Sequence, residues 1–444
     1  MNRPRRVLAL AAAAAVAAAS LTACSASSEG SGDEPVTITW WATNLANSLQ
    51  RDNELLKPMI DRFTEETGIQ VDYEVNTWGD YYNKVLGAVS SGEGPDVMSV
   101  GTTWTQTLAD TGAFLQFDDA RMDEIGGADK FVPTSLGAAG GDSDGGPSFL
   151  PMANGVTSLW YNPTIFAAAG ITEPPKTIDE FITVAQQLTQ DTDGDGTIDQ
   201  YGFAYPAGSA SELSHAIFAY GEQYDGQWFD EDGKPTLDAD GIVDAATMLT
   251  ALLTDAKIMS PADVEITNAT ETFQQFADGK TGMIFASGPI PTWKEAGFTD
   301  YAAADMPLID PVIGEPVMTH IAGVNVGVFA ETEHEEAALQ FVKYLTDVEA
   351  QVDFYNDFDQ MPTNQEAYDS DQLVKADTFD LYANILANNA KTVPLNSNTG
   401  QAETLMGDAM KQLFAQAALD GTVSTADAKA VFEQANSQLE AAAG

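Results

Sequence analysis

Residues 36–41 alternate threonine with large apolar side chains, the period of two that a half-buried strand requires. The apolar positions then switch to helical spacing. Leu55, Leu56, Met59, Ile60 and Phe63 fall on one face of residues 53–67, and Gly68 follows as a stop signal. Residues 69–75 predict a second strand and 81–89 a second helix, closed by the Gly92-Glu93-Gly94-Pro95 turn before a third strand at 97–100. Strand–helix–strand–helix–strand order predicts an α/β fold with a mainly parallel sheet, whose ligand-binding loops lie at the carboxyl ends of the strands.

A stretch dense in Gly, Asp and Ala at 137–146 reads as a linker. Beyond it the pattern predicts strands at 158–161, 282–286 and 324–329, and helices at 178–188, 242–254 and 334–345. The C-terminal part reads as largely helical, and no internal repeat is visible. Trp40 and Trp41 point to opposite faces of the first strand, so one of them is expected in the core, as is Trp160.

The first two dozen residues follow a different logic. Arg3, Arg5 and Arg6 precede an alanine-dominated apolar run at 7–19, long enough for a signal sequence and shorter than the roughly 20 residues of a spanning helix. Leu21-Thr22-Ala23-Cys24 then resembles the bacterial lipobox, in which small residues admit the peptidase and the cysteine thiol takes a diacylglycerol. The expectation is a signal peptide at 1–23, lipidation at Cys24 and a Gly/Ser-rich tether over 24–35. The alternative is an ordinary cleaved signal that leaves Cys24 as a free thiol. As the single cysteine, Cys24 has no internal disulfide partner, so stability must come from core burial.

The chain carries 19 basic and 67 acidic residues, a net charge of −48; removal of the three leader arginines leaves 16 basic against 67 acidic, or −51. Such a surface repels polyanions, so no nucleic-acid partner is expected, and anionic headgroups would add nothing to membrane binding.

Several blocks, in order, resemble the bacterial extracellular solute-binding proteins of family 1, the sugar receptors of ABC importers that include the maltose-binding protein. They are Thr67-Gly68-Ile69, Gly94-Pro95-Asp96-Val97 leading to Trp104, and Leu108-Ala109 through Gly112 to Leu115. Residues 151–162 (PMANGVTSLWYN), Ala169-Gly170-Ile171 with Pro174-Pro175, and Thr177-Ile178-Asp179-Glu180-Phe181 follow. The last blocks are 276–289 (FADGKTGMIFASGP), 338–345 (ALQFVKYL) and Met361-Pro362. The resemblance implies a two-lobed periplasmic-binding-protein-like type II fold with hinge crossings and an interlobe ligand cleft. By that analogy the N-lobe takes 36–148 plus 326–375, and the C-lobe 149–325 plus 376–444. It further implies a monomer that binds a mono- or oligosaccharide, closes by hinge motion and is read by the permease subunits of an ABC transporter.

A sugar site needs aromatic faces for the C–H surface of a ring and polar groups for its hydroxyls. Asn44, after the first strand, and Trp78, on the N-lobe rim with Tyr81 and Tyr82, are candidates. Thr103 and Trp104 match positions that carry sugar contacts in family members. Asn154 and Gly155 lie in the hinge block, where relatives of the maltose type place an acidic ligand residue at the position of Gly155. After Gly288 the family usually supplies a tryptophan platform; here Ile290 stands in that place and Trp293 follows, a shifted platform. His320 and Asn325 flank Gly323 at the return crossing and offer polar contacts. Each has a structural alternative, as a core aromatic or a turn asparagine.

A second signal is Asp191, Asp193, Asp195, Gly196, Thr197 and Asp199, with carboxylates at positions 1, 3 and 5 of a calcium-loop pattern. Thr197 would offer its carbonyl and Asp199 a ninth-position ligand, while Gly202 replaces the terminal glutamate of an EF-hand. A structural calcium and a plain Asp/Gly-rich turn both fit; no cofactor is otherwise required. The rival functions are a secreted glycoside hydrolase with two carboxylates across a cleft and a receptor for a non-sugar solute. Other signatures are missing: there is no Gly-x-Ser-x-Gly elbow, His334-Glu335-Glu336 lacks a second zinc-binding histidine, and Gln274 stands where the Gly279-Lys280-Thr281 segment would need a P-loop glycine. With histidines only at His215, His320 and His334, a binding protein is expected rather than an enzyme.

Overall fold

The computed structural model describes residues 35–46, 48–140 and 145–443. The signal peptide expected at 1–23, Cys24 and all but the last residue of the tether lie outside them.

The strands are β1 Thr37–Thr43, β2 Gln70–Asn76, β3 Val97–Gly101, β4 Leu150–Gly155, β5 Ser158–Tyr161, β6 Tyr201–Ala204, β7 Thr281–Ala286, β8 Ala302–Ala304, β9 Thr319–His320, β10 Ala322–Val328 and β11 Ala390–Lys391. The first sheet runs β2-β1-β3-β10-β4, with β1, β2 and β3 parallel and β10 antiparallel to both β3 and β4. The second runs β6-β7-β5-β8, in which β6 and β7 are parallel and β5 is antiparallel to its neighbours. Two lobes of α/β structure follow from these two sheets.

The alternation in β1 has the expected outcome. Ile38, Trp40 and Ala42 are buried, and the Trp40 indole donates to Ser99 Oγ at 2.9 Å inside the core. Trp41 stays half-exposed, with the Lys84 ammonium 3.9 Å from its ring centroid. The helix Leu49–Thr67 starts on Ser48, whose side chain accepts from Arg51 N–H, and buries Leu56, Met59, Ile60 and Phe63. With Phe341 and Leu345 of the helix Glu335–Thr346, these residues form the first lobe's core. Burial of such side chains is worth about 1.5–3 kcal/mol each, the main term holding the lobe together.

The second lobe packs the helices Ile178–Leu188, Ala210–Gln223, Asp240–Thr254 and Thr399–Asp420 around Phe181, Phe203, Ile217, Leu252 and Met410. A further cluster joins Trp160, Phe276, Ile284 and Trp293 to Tyr355, Phe379 and Tyr382.

The first crossing lies later than the expected limit at 148/149, and the return crossing lies earlier than the one at 325/326. β4 and residues 322–325 hydrogen-bond in the first sheet, because β10 pairs from Ala322 onward with β4. The chain therefore leaves the first lobe after Gly155 and returns between His320 and Ala322. Gly323 makes this pairing possible: its φ of +144° is open to glycine, and a methyl there would sit 2.0 Å from the Ala153 carbonyl oxygen. A third crossing comes after residues 361–365, which stay with the first lobe: Asn154 and Met361 exchange main-chain hydrogen bonds of 3.0 and 2.8 Å, and Gln365 Nε2 donates to the Asp129 and Phe131 carbonyls.

Candidate functional site

Three loops leave the carboxyl ends of β1, β2 and β3 on the same edge of the first sheet, and the residues expected there meet. Asn44 donates through Nδ2 to the Ala46 carbonyl at 2.8 Å, and its own carbonyl accepts from Trp78 Nε1 at 3.0 Å. Trp78 and Trp104 form an edge-to-face pair with centroids 5.5 Å apart, and Tyr82 lies 4.9 Å from Trp104. Trp78 keeps 36% of its surface exposed, whereas Trp104 keeps 9%. Thr103 sits beside them, buried after β3 in the short turn Thr102–Trp104.

Facing them is the start of the helix Thr399–Asp420, which belongs to the second lobe. Gly400 N–H donates to Thr107 Oγ1 at 3.2 Å, and Ser397 Oγ donates to Asp110. A methyl at Gly400 would approach the Tyr82 phenol oxygen to 2.4 Å, so the two lobes touch here without space between them. One turn on, Glu403 accepts from Thr103 Oγ1 at 2.5 Å through Oε2, and its Oε1 lies 2.9 Å from His215 Nε2. His215 in turn stacks on His320 at 3.8 Å.

The charges in this bridge are set by burial and by Glu403. Burial pushes His215 down, but the hydrogen bond and charge of Glu403, helped by Glu212, outweigh it and leave its pKa above the ordinary histidine value. Burial and the neighbouring His215 drive His320 well below that value, which keeps it neutral. Burial and the Glu403 charge raise the Tyr82 phenol, so it remains a donor.

The remaining expected residues are elsewhere. Asn154 is buried in the hinge and donates to Ser135 Oγ at 2.6 Å, while Asn325 is buried on β10 with its Nδ2 unpaired. Gly155 and Gly288 come together around Gln360: a methyl at Gly155 would lie 2.9 Å from Ser287 Oγ, and one at Gly288 would lie 3.3 Å from Gln360 Nε2. A side chain at position 155 would require the Ser287 hydroxyl to rotate away.

Trp293 is a correction. It is 1% exposed, stacks on Phe276 at 4.9 Å, meets Trp160 edge-on at 5.1 Å and spends its indole N–H on the Phe273 carbonyl. The short helix Ile290–Glu295 turns it into the core, and no shifted platform forms. The same helix places Ile290, Pro291 and Lys294 on the wall of an interlobe cavity of about 540 Å³, opposite Ala46 and Arg51 of the first lobe. Asp359 lines this cavity with Oδ2 unpaired, and burial raises its carboxyl to about 7 despite Lys294 nearby.

The acidic loop partly gathers. Asp191, Asp193 and Asp195 each offer a carboxylate oxygen within 4.8 Å of the others, a donor set suited to a hard cation. Asp191 accepts from the N–H groups of Gly194 and Gly196, both at 2.7 Å, and Asp195 accepts from Thr197 N–H at 2.7 Å. Asp199 instead folds back to accept from Thr192 N–H and Oγ1, each at 2.8 Å, and is not in the carboxylate group.

Glu403 escaped the sequence reading, as did its pairing with His215. Nothing in the one-dimensional pattern separates it from the other acidic residues; the contact joins Thr103 to a residue 300 positions away.

Two α/β lobes, three crossings and a polar and aromatic seam between the lobes define a two-lobed binding protein. The family profile of bacterial extracellular solute-binding proteins matches residues 46–352, and the chain belongs to that family. It is similar to a putative binding protein of Brucella abortus, 24% identical over 364 residues that cover 79% of this chain and 82% of the relative. It is also similar to the diacetylchitobiose binding protein of Streptomyces coelicolor, 24% identical over 330 residues, or 69% and 68% of the two chains. Among solved structures, an ABC transporter solute-binding protein of Thermotoga lettingae bound with α-D-tagatose superposes with a TM-score of 0.77 at 18% identity, covering 92% of this chain and 100% of the other. No helix among the described residues is long and apolar enough to cross a membrane.

Proposed function

We propose that this chain is the substrate-binding lipoprotein of an ABC importer and captures a neutral sugar or oligosaccharide between its lobes. The observation that carries the reading is the seam itself. The Trp78–Trp104–Tyr82 aromatic group stands beside the Thr103–Glu403–His215 hydrogen-bond chain at the junction of the lobes. Aromatic faces suit the C–H surface of a pyranose, and hydroxyl, carboxylate and imidazole groups suit its hydroxyls. The names of the Streptomyces and Thermotoga proteins, both of which refer to carbohydrates, favour the same class.

The lobes open about the crossings near Gly155 and Ala322 and the one that follows Gln365, admit the ligand and close on it, and the permease reads the closed shape. Asn44, Trp78, Thr103 and Trp104 serve the first lobe's side, and His320 supports the second. The protein binds and does not turn over its ligand. A diacylglycerol on Cys24 holds it at the outer face of the cytoplasmic membrane. The Asp191–Asp193–Asp195 loop, with the Thr197 carbonyl, takes a structural calcium.

A thermal-shift screen over diacetylchitobiose, D-tagatose, maltotriose and other neutral saccharides, with and without calcium, tests this. A saturable rise of the midpoint with one sugar and no released products is expected. Shifts from amino acids or peptides, with none from any sugar, would overturn the carbohydrate assignment. Calcium alone is expected to raise the midpoint and Asp191→Asn to abolish that rise; an unchanged midpoint would make the loop a plain turn.

A further inference from the structure

The two partners of Glu403 belong to different lobes. His215 lies on the helix Ala210–Gln223, which shares a core with Glu403's own helix through Ile217, Ala402, Met406 and Met410. That pair therefore travels as one body. Thr103 belongs to the first lobe, on the turn after β3. When the lobes part, the Glu403–His215 contact persists and Oε2 loses its donor. Glu403 is only 7% exposed, and among the described residues no lysine or arginine forms an ion pair with it. When the lobes close again over a ligand that displaces Thr103, a carboxylate oxygen so buried is costly unless the ligand itself supplies a donor.

We propose, on the basis of the sugar-binding reading, that Glu403 is the carboxylate that reads the ligand. His215 holds it, and in this structure the Thr103 hydroxyl occupies the place of a ligand hydroxyl. A sugar O–H donates with the same chemistry and reach as Thr103 Oγ1. Trp104 and Tyr82, beside Thr103, offer the ring face next to that hydroxyl. Position 155 is a glycine and carries no charge; the carboxylate comes instead from the opposite lobe. The ligand class follows from the sign of that charge: a neutral polyhydroxylated ring is accepted, and a uronate is repelled by Glu403 within a strongly acidic protein.

Isothermal titration calorimetry on the full chain tests this with diacetylchitobiose, maltotriose, D-tagatose and galacturonate oligomers as probes. Wild type is expected to bind a neutral probe and no uronate. Glu403→Gln should weaken that binding at least 10-fold with an unchanged circular dichroism spectrum. His215→Gln, which keeps the carboxylate and removes its support, should weaken it by a smaller factor. Monodeoxy analogues of the bound probe then separate reading from mere bridging of the lobes. One analogue should lose as much as Glu403→Gln does, and lose nothing further in that variant, as two halves of one contact must. Unchanged affinity in both variants, or a Glu403→Gln penalty that adds in full to every analogue's, would overturn the proposal and leave sugar binding intact. If wild type binds no neutral probe, the sugar reading itself fails and this inference with it.

Discussion

At the residue scale, two buried carboxylates stand out by what they lack. Asp263 is fully buried with Oδ1 unpaired, and Asp359 is buried with Oδ2 unpaired; burial raises both to about 7. A folded-state value above the ordinary 3.8 means that the native protein holds protons which the unfolded chain releases. Stability from these groups is present near pH 4 and declines as pH rises towards about 7. Denaturant midpoints should fall between about pH 4 and 7, and Asp263→Asn should flatten that fall; an identical slope in the variant would remove Asp263 as its source. The tryptophans show why residue roles were only partly legible in the sequence. Trp40 and Trp41 were separable in kind by the strand's period of two, but a residue on a six-residue helix such as Ile290–Glu295 can face core or cleft. Only the packing of Phe276 and Trp160 decides that Trp293 goes inward.

At the scale of elements, the helix Thr399–Asp420 joins the second lobe's core to the interlobe seam. It approaches the helix Ala210–Gln223 at Gly407, where an added methyl would lie 2.2 Å from the Ala210 carbonyl oxygen. Glycine to alanine inside a helix ordinarily gains about 1 kcal/mol. Here backbone blocks the methyl, so overpacking reverses the sign. Gly407→Ala should destabilise by about 1–3 kcal/mol, measured by urea unfolding; a gain in stability would show that the two helices can separate freely. The same helix carries Glu403 to the seam and packs on the helix that carries His215, so Gly407→Ala should also weaken sugar binding. The local order from β1 to β3 was readable because each element carries its own period and stop signal, as Gly68 does with its N–H bonded to Thr64 O. The insertion of β10 between β3 and β4 was not, since the partners are far apart in sequence and pairing there depends on Gly323.

At the scale of the molecule, the order of the sequence blocks implied two lobes, and the sheets supply them, with crossings displaced to Gly155 and Ala322. The interlobe seam has two parts: the polar and aromatic bridge around Thr103 and Glu403, and the 540 Å³ cavity between Arg51 and Lys294. Both belong to surfaces that separate when the lobes open. Removing the bridge should shift the ligand-free protein towards the open form. Small-angle scattering is expected to give a larger radius of gyration for Thr103→Val than for wild type; equal radii would mean that the bridge does not hold the lobes. The central claim is capture of a neutral sugar in that seam. Its most direct test is calorimetric titration of the wild-type protein with neutral saccharides. Saturable one-to-one binding of at least one of them, without turnover, is expected. Heat-silent titrations across the saccharides, alongside saturable binding of a non-carbohydrate solute, would contradict it.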